Sequence, residues 1–237
     1  MQTISRRALT FAGAAAAAVT LTSSKAFAFQ STPVASTDAS ALPTVVLVHG
    51  AFADSSSWSG VVATLQNAGY PVKAFATPLR GVAFDSEALK GLVDTIEGPV
   101  VLAGQSYAGM VISQVAAEAA SVVALVYVAA FIPEVGESVN SLNSMYPGSL
   151  LIPDNLLTAT APNGATDVYI NQNAYGEVYA GGLSDADIQI AAAVQRPIAA
   201  SALGELATVA TPATTPKWVV VATADNAVPT EVQRFMA

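Results

Sequence analysis

The sequence has no cysteine and only one histidine, His49, among its 237 residues. The lack of cysteine excludes disulfides, thiolate nucleophiles and thiolate metal sites, and one histidine offers little to a zinc ion, so we expect no metal. Charged residues make up only 11% of the chain, and the formal net charge of −8 disfavours nucleic acid and anionic membrane surfaces as partners. Hydrophobic residues make up 53%, enough for one sizeable core in a single domain with an insertion.

The first 28 residues have the pattern of an export signal. Arg6 and Arg7 precede an alanine-rich apolar segment, and a motif of alternating small residues ends at Ala28. This pattern predicts a twin-arginine-type signal peptide at 1–28 and a protein that is exported, either periplasmic or secreted. A membrane anchor is the alternative, but the apolar segment is shorter than the ~20 residues that a span needs, so we expect no stable anchor. The Ser-, Thr-, Ala- and Pro-rich composition of 29–42 predicts a flexible linker.

Apolar runs alternate with helical patterns over the rest of the chain, which we predict to form one domain at 43–237. Continuous apolar runs are typical of strands buried on both faces of a parallel sheet. The predicted strands are at 44–49, 72–76, 100–103, 122–129 and 217–223, and the predicted helices at 58–68, 85–97, 107–119 and 184–195. The alternation predicts an α/β fold with a mostly parallel, doubly wound sheet. The segment at about 131–200 is rich in Pro, Gly, Asn and Tyr, which predicts a lid inserted between strands.

Ser106 is the candidate nucleophile. It lies in Val100-Val-Leu-Ala-Gly-Gln-Ser-Tyr-Ala-Gly109, where an apolar strand pattern stops at Gly104 and a helical pattern follows the serine. This is the pattern of a nucleophile elbow, in which a sharp turn exposes the serine hydroxyl at the carboxyl end of a sheet. Ala108 stands where that motif has its last glycine and Gly109 comes one residue later, but alanine is still small enough for the turn. A helix cap is the alternative role for Ser106.

Other groups of an acyl-transfer site can be nominated by position. The backbone N–H groups of Ala51 and Tyr107 are the candidate oxyanion donors, since one lies in the turn after the first strand and the other directly follows the nucleophile. Gly50 lets the first of these turns approach closely. Asp225 follows the last predicted strand, where it is either a carboxylate at the end of the sheet or a solvated loop acid. We interpret His49 as a structural residue of the first turn, because the base follows the acid along the chain in such folds.

Four segments of the sequence carry a resemblance to a known family: Val45-Val-Leu-Val-His-Gly-Ala-Phe52 with Trp58, Leu102-Ala-Gly-Gln-Ser-Tyr-Ala-Gly109, Leu125-Val-Tyr-Val-Ala-Ala-Phe-Ile-Pro133 and Gln195-Arg-Pro-Ile-Ala-Ala-Ser201. They resemble the α/β-hydrolase family, and more narrowly the bacterial esterases and lipase-like hydrolases related to plant methylesterases and hydroxynitrile lyases. The resemblance implies an α/β-hydrolase fold, with Asp225 as the triad acid and Ala51 and Tyr107 as the oxyanion pair. It also implies a small-molecule ester as substrate and no cofactor. Gln105 replaces the histidine that many relatives have before the serine, and its amide could line the site or bond locally.

In this fold the base is a histidine that follows the acid after one more helix and one more strand, roughly 25 residues on for elements of typical length. The sequence ends at Ala237, and Thr230 to Ala237 has the pattern of the start of that helix. We therefore expect that this sequence lacks the last strand and the histidine. The apolar run at 218–222 would then be a bare sheet edge, which invites aggregation.

Three functions are compatible with these residues. The first is an exported serine esterase that hydrolyses a small apolar ester through an acyl-enzyme. The second is a hydroxynitrile lyase-type reaction in the same pocket, which the release of cyanide from a cyanohydrin would distinguish. The third is an inactive short form that only binds apolar ligands, which stabilisation by a ligand without hydrolysis would support. The sequence makes no prediction about the oligomeric state.

Overall fold

The computed structural model describes residues 42–237. The signal peptide predicted at 1–28 lies outside the described residues, as does the linker predicted at 29–42 except for its last residue. Within the described range, no helix is both long and apolar enough to cross a membrane. The same residues contain no cluster of three or more His, Cys, Asp or Glu side chains that could hold a metal ion.

Strands and helices alternate along the described chain. The strands are β1 (Thr44–Val48), β2 (Val72–Phe75), β3 (Val100–Gln105), β4 (Val122–Val128), β5 (Leu156–Thr160), β6 (Thr166–Ile170), β7 (Ile198–Ala199) and β8 (Lys217–Val220). The α-helices are α1 (Ser59–Asn67), α2 (Val82–Val93), α3 (Ala108–Glu118), α4 (Val139–Asn143), α5 (Tyr175–Val178), α6 (Asp185–Val194), α7 (Ala200–Gly204) and α8 (Thr230–Met236). Short 3₁₀ helices lie at Ser55–Trp58 and Pro153–Asn155.

Five strands form one parallel sheet in the order β2-β1-β3-β4-β8. Successive residues of a strand point to opposite faces of the sheet. In β1, Val46 and Val48 pack in the larger core with α2 and α3. The intervening Leu47 packs in a smaller core with Leu65 of α1. Helices therefore cover both faces, which explains the continuous apolar runs and confirms the predicted doubly wound α/β architecture.

The bounds of α2 differ from the prediction, since the helix occupies Val82–Val93 instead of 85–97. Glu205 accounts for the earlier start, because its carboxylate accepts hydrogen bonds from the N–H groups of Val82 and Ala83, both at 2.8 Å. A carboxylate at this end satisfies N–H groups that the helix leaves unpaired and is favoured by the helix dipole. The cap comes from a residue 123 positions away, so no local pattern indicates it.

The predicted lid lies between β4 and β8, and it contains an antiparallel sheet that the sequence patterns above do not predict. β5 and β6 pair as a hairpin, with Leu156 opposite Ile170, and β7 pairs with β6. Asn163 and Gly164 lie in the connecting turn, where Gly164 has a φ of 80°. Because Asn-Gly between two strand-type runs favours a hairpin, the sequence did contain a usable signal.

Arg80, in the loop before α2, contacts the lid through an ion pair and a hydrogen bond. Its guanidinium forms an ion pair with Asp167 of β6 at 2.6 Å. The same group donates to the carbonyl of Pro197, directly before β7, at 2.9 Å. The loop before α2 therefore holds two strands of the lid.

β8 forms one edge of the parallel sheet and, among residues 42–237, pairs only with β4. It ends at Val220, earlier than the predicted residue 223. Trp218 and Val220 are 59% and 53% exposed. The edge is therefore bare in the described part of the chain, as expected from the apolar run.

The strand order places two turns side by side. The chain passes from β1 outward to β2 and then returns to β3 on the other side of β1. In open α/β sheets, ligands bind outside the carboxyl ends of the strands at such a reversal. Val48 is the last residue of β1 and lies opposite Gly104, which is one residue before the end of β3. The turns that follow these strands, which contain Gly50 and Ser106, are therefore neighbours.

Gly109 packs α3 against the loop that follows β4. A Cβ at this position would overlap the carbonyl oxygen of Phe131, so even alanine requires a backbone shift. We expect Gly109→Ala to lower the free energy of unfolding by about 1–3 kcal/mol, the usual cost of overpacking. Equilibrium unfolding in urea would measure this loss.

Gly91→Ala is the matched control, because Gly91 lies in α2 and a Cβ there meets no atom within 4 Å. Alanine is favoured over glycine inside a helix by roughly 0.5–1 kcal/mol, so this variant should be at least as stable as the unsubstituted protein. Equal stability of the two variants would contradict the close approach at Gly109.

Candidate active site

Ser106 lies on the turn between β3 and α3 with a left-handed backbone, at a φ of 53°. That conformation is uncommon for a non-glycine residue and persists only where the surroundings hold it. Its N–H donates to the carbonyl of Val128 at 3.3 Å. Its carbonyl accepts from the N–H groups of Gly109 and Phe131 at 3.0 and 3.1 Å. No side chain caps α3, so Ser106 does not serve as its cap, and the turn has the geometry of a nucleophile elbow.

Gly50 brings the turn after β1 against this elbow. A Cβ at Gly50 would lie 2.6 Å from the carbonyl oxygen of Gln105 and 3.0 Å from Cβ of Ser106, so only glycine fits without a shift. The Gly50 N–H also donates to Oε1 of Gln105 at 3.2 Å, which ties the two turns together. Gly104 is similarly confined, since a Cβ there would lie 3.0 Å from the carbonyl oxygen of Ala108.

The backbone N–H groups of Ala51 and Tyr107 come from these two neighbouring turns. Both residues are buried, and neither N–H donates to an acceptor among residues 42–237. Buried N–H groups without an acceptor are rare in folded proteins. Two of them in the turns around a serine hydroxyl are the kind of donors that a developing oxyanion requires.

Tyr107 is also anchored through its side chain. Its hydroxyl donates to Oδ2 of Asp85 at 2.8 Å, and Oδ1 of the same carboxylate accepts from the Arg80 N–H at 3.0 Å. Asp85 is fully buried in α2, and burial raises the pKa of its carboxyl. This contact fixes the residue that follows the nucleophile. Sequence reasoning missed Asp85, because it looks like an ordinary acid in the first turn of a helix.

Asp225 lies in the turn after β8, where hydrogen bonds reach both carboxylate oxygens. Oδ1 accepts from the N–H groups of Ala227 and Val228 at 2.8 and 2.9 Å. Oδ2 accepts from Nε2 of Gln233 at 2.9 Å. Partial burial raises the pKa of the Asp225 carboxyl, and these three hydrogen bonds oppose the rise. The carboxylate is therefore a fixed group, unlike a freely solvated loop acid.

Ser106 and Asp225 line the same cavity, which has a volume of about 230 Å³. Gln105 and Ala222 contribute to its wall from the ends of the sheet, and Val178 and Tyr179 contribute from the lid. The structure thus brings together the candidate nucleophile and the candidate acid, which are far apart in sequence.

His49 is fully buried in the turn after β1, and both of its ring nitrogens are engaged. Nε2 accepts from the Thr77 N–H at 3.0 Å, so Nδ1 carries the proton and donates to the carbonyl of Gly50 at 2.9 Å. Burial lowers the pKa of the ring. These contacts leave no free lone pair for Ser106 and support the interpretation of His49 as a structural residue.

Two tyrosines of the lid contact the two turns. The hydroxyl of Tyr179 donates to Oε1 of Gln105 at 3.1 Å, and that of Tyr175 donates to the carbonyl of Phe52 at 2.7 Å. The rings of Phe52 and Tyr179 meet edge to face, with centroids 6.2 Å apart. Burial raises the pKa of both hydroxyls, so both remain protonated donors at neutral pH. Gln105, whose role the sequence leaves open, both lines the cavity and bonds locally.

The model of the Alpha/beta hydrolase family matches residues 45–237, a range that includes both turns, the lid and the cavity. The chain belongs to the Alpha/beta hydrolase family. This membership supports a hydrolase activity for the site. A comparison with curated proteins finds no match.

Solved structures of several hydrolases have similar folds at low sequence identity. Polyneuridine aldehyde esterase has a TM-score of 0.68 and 20% identity, over 82% of this chain and 85% of that chain. A methylesterase from Arabidopsis has a TM-score of 0.67 and 15% identity, over 82% and 84%. A pyrethroid hydrolase from Sphingobium faniae JZ-2 has a TM-score of 0.63 and 19% identity, over 82% and 83%. At these identities the similarity shows the fold alone.

The burial of His49 should make stability depend on pH. Because burial lowers the folded pKa below the ordinary value of 6.5, the unfolded chain binds more protons at this ring than the folded protein does. The free energy of unfolding should be independent of this ring well above pH 6.5, and it should fall as the pH decreases below that value. The slope should reach at most about 1.4 kcal/mol per pH unit.

Urea unfolding over roughly pH 5 to 7.5, a window in which histidine is the only side chain with an ordinary pKa, would measure the slope. His49→Gln is the control, because it keeps a polar side chain and has no titrating ring. The variant should lack this fall in stability, and identical slopes in the two proteins would contradict the assignment.

Proposed function

We propose that this chain is an exported serine esterase that cleaves small apolar esters through an acyl-enzyme. The observation that carries the proposal is the cavity shared by Ser106 and Asp225 beside the elbow turn. The N–H groups of Ala51 and Tyr107, which have no acceptor within residues 42–237, support it. So do the structural neighbours, which are described as an esterase, a methylesterase and a pyrethroid hydrolase. Export rests on the signal pattern at 1–28.

In this proposal Oγ of Ser106 attacks the ester carbonyl carbon, and the carbonyl oxygen takes up the negative charge. The N–H groups of Ala51 and Tyr107 stabilise that oxyanion, a role in which a single donor is typically worth about 10²–10³ in rate. The alcohol leaves, and water then releases the acid from acylated Ser106. Asp225 orients the base and stabilises its protonated form.

None of these 237 residues is a histidine that is free to act as the base. His49 is the only histidine among these 237 residues, and hydrogen bonds with Gly50 and Thr77 engage both of its ring nitrogens. A serine hydroxyl without a base is a weak nucleophile, and removing the histidine of a comparable triad costs on the order of 10⁶ in turnover. We therefore propose that the 237-residue chain alone acylates slowly and deacylates slowly, so that its acyl-enzyme persists.

Incubation with p-nitrophenyl acetate should therefore add one acetyl group to the chain, at Ser106. Because deacylation also lacks a base, the release of p-nitrophenolate should level off near one equivalent per chain instead of continuing as turnover. Intact mass measurement and peptide mapping would locate the acetyl group. Ser106→Ala should acquire none at this position.

Ser57→Ala is the matched control, since Ser57 is an exposed serine that lines a neighbouring cavity of about 170 Å³. This variant should be acetylated at Ser106 at an unchanged rate. Equal acetylation of Ser106→Ala and the unsubstituted protein would overturn the proposal. Release of cyanide from a cyanohydrin without any ester cleavage would favour the lyase reaction instead.

A further inference from the structure

We propose that Gln105 selects the acyl group of the ester, and that it favours an acyl chain that carries a neutral oxygen acceptor, such as an ether or a keto group. The acyl chain occupies a second cavity of about 170 Å³, which we call the Trp58 cavity. This inference rests on the proposed esterase function, because it concerns the ester that acylates Ser106. Neither the sequence patterns nor the family comparison assigns this role to Gln105.

The Trp58 cavity adjoins the cavity that contains Ser106. Gln105 and Tyr179 line both cavities, so these two side chains form the boundary between them. Ala53, Trp58 and Val128 supply apolar surface to the Trp58 cavity. An apolar cavity of about 150 Å³ admits benzene, so a volume of about 170 Å³ is enough for a short acyl chain.

Two hydrogen bonds fix the orientation of the Gln105 amide. Oε1 accepts from the Gly50 N–H at 3.2 Å and from the Tyr179 hydroxyl at 3.1 Å. A backbone N–H can only donate, so the amide atom that faces Gly50 must be the oxygen. The NH₂ group therefore takes the other position, and it donates to no acceptor among residues 42–237. Gln105 thus brings an unused donor to the boundary of the two cavities.

The other polar groups of the Trp58 cavity leave donors unused but no hydroxyl proton. The Ser57 hydroxyl donates to the carbonyl of Asp54 at 2.7 Å and takes no part in the proposed contact. The Tyr179 hydroxyl donates to Gln105. Trp58 is 8% exposed, and its Nε1 has no acceptor in the part of the chain that the structure describes. Because buried donors are normally satisfied, a matching ligand contributes an acceptor.

The acceptor should be neutral. Of the described residues that line the Trp58 cavity, none carries a charge. A carboxylate that enters it would lose water without gaining a cation, which is costly. Asp54, the residue after Ala53, is itself an acid and would repel an anion. An ether or keto oxygen accepts a hydrogen bond from Gln105 without this cost.

The acyl chain, and not the alcohol, is the part of the ester that fits this cavity. The base gives a proton to the leaving alcohol, so the alcohol lies on the side of the base and of the acid that orients it. In the proposed function that acid is Asp225, which lines the cavity of Ser106 but not the Trp58 cavity. The acyl chain then extends away from Asp225, past Gln105.

The first experiment compares two esters of equal chain length, p-nitrophenyl 3-methoxypropanoate and p-nitrophenyl pentanoate. The rate of Ser106 acylation is taken from the first equivalent of p-nitrophenolate, with the rate in Ser106→Ala subtracted. Each rate is divided by the hydroxide-catalysed rate of the same ester, which removes differences in intrinsic reactivity. We expect the methoxy ester to acylate about three- to tenfold faster, the usual worth of one neutral hydrogen bond. Equal rates would overturn the proposal.

Gln105→Glu is the matched variant, because it keeps an oxygen for Gly50 and Tyr179 and replaces the NH₂ group with a second oxygen. The donor becomes an acceptor, so the rate ratio of the methoxy ester to the pentanoate should fall by about tenfold. A slower reaction of both esters at an unchanged ratio would mean that Gln105 is merely structural and would overturn its assigned role. If this variant does not fold, the binding measurement below still tests the site.

Binding is located by the indole ¹H–¹⁵N signals of Ser106→Ala. The sequence has two tryptophans, Trp58 and Trp218, and Trp218 is an internal control because it is 59% exposed on β8. Methyl 3-methoxypropanoate should shift the Trp58 signal and leave that of Trp218 in place. Methyl pentanoate should require a higher concentration, and the anion of monomethyl succinate a higher one still. Equal shifts of the two signals, or the reverse order of the ligands, would contradict the assigned site.

The two proposals fail in different ways. If Ser106 is acylated but the methoxy ester and the pentanoate react alike, the inference fails while the esterase proposal stands. If methyl 3-methoxypropanoate shifts the Trp58 signal but no ester acylates Ser106, the esterase proposal fails, and the assignment of the Trp58 cavity to an acyl group fails with it.

Discussion

The close approach of Gly50 to the turn at Ser106 is the contact on which the rest of the site depends. It is possible because β1 and β3 are neighbours at the point where the strand order reverses. The left-handed backbone of Ser106 is then held by hydrogen bonds to Val128 and Phe131, at and beyond the end of β4. Three adjacent strands therefore fix the position of one hydroxyl, which is the rigidity that a strained turn requires.

His49 and Asp85 make contacts that hold the two turns of the site, whereas Asp225 lies at the cavity itself. His49 uses its two ring nitrogens to join the turn that carries Ala51 to Thr77, which follows β2. Asp85 holds the ring of Tyr107 from α2. Asp225, in contrast, lines the cavity and is held there by hydrogen bonds to both of its carboxylate oxygens. The fold thus places a hydrogen-bonded carboxylate in the lining of the same cavity as Ser106.

The main parallel sheet and the elbow could be predicted because their causes are local. A strand that is covered on both faces has a continuous apolar sequence, and a sharp turn at a serine requires small residues around it. The cap of α2 by Glu205 and the support of Asp225 by Gln233 could not be predicted, since each is a long-range or buried contact between residues of ordinary local pattern. The β5–β6 hairpin could have been predicted, because Asn163-Gly164 between two strand-type runs favours a hairpin.

The hydroxyls of Tyr175 and Tyr179 connect the lid to the two turns that form the candidate site. Lifting α5 would break two hydrogen bonds together, each worth about 0.5–1.5 kcal/mol net, so these bonds favour the arrangement in which α5 contacts the two turns. Gln105 shares its amide oxygen between Tyr179 and Gly50. By thermodynamic reciprocity, any ligand that stabilises the two turns would also favour the contact between α5 and those turns.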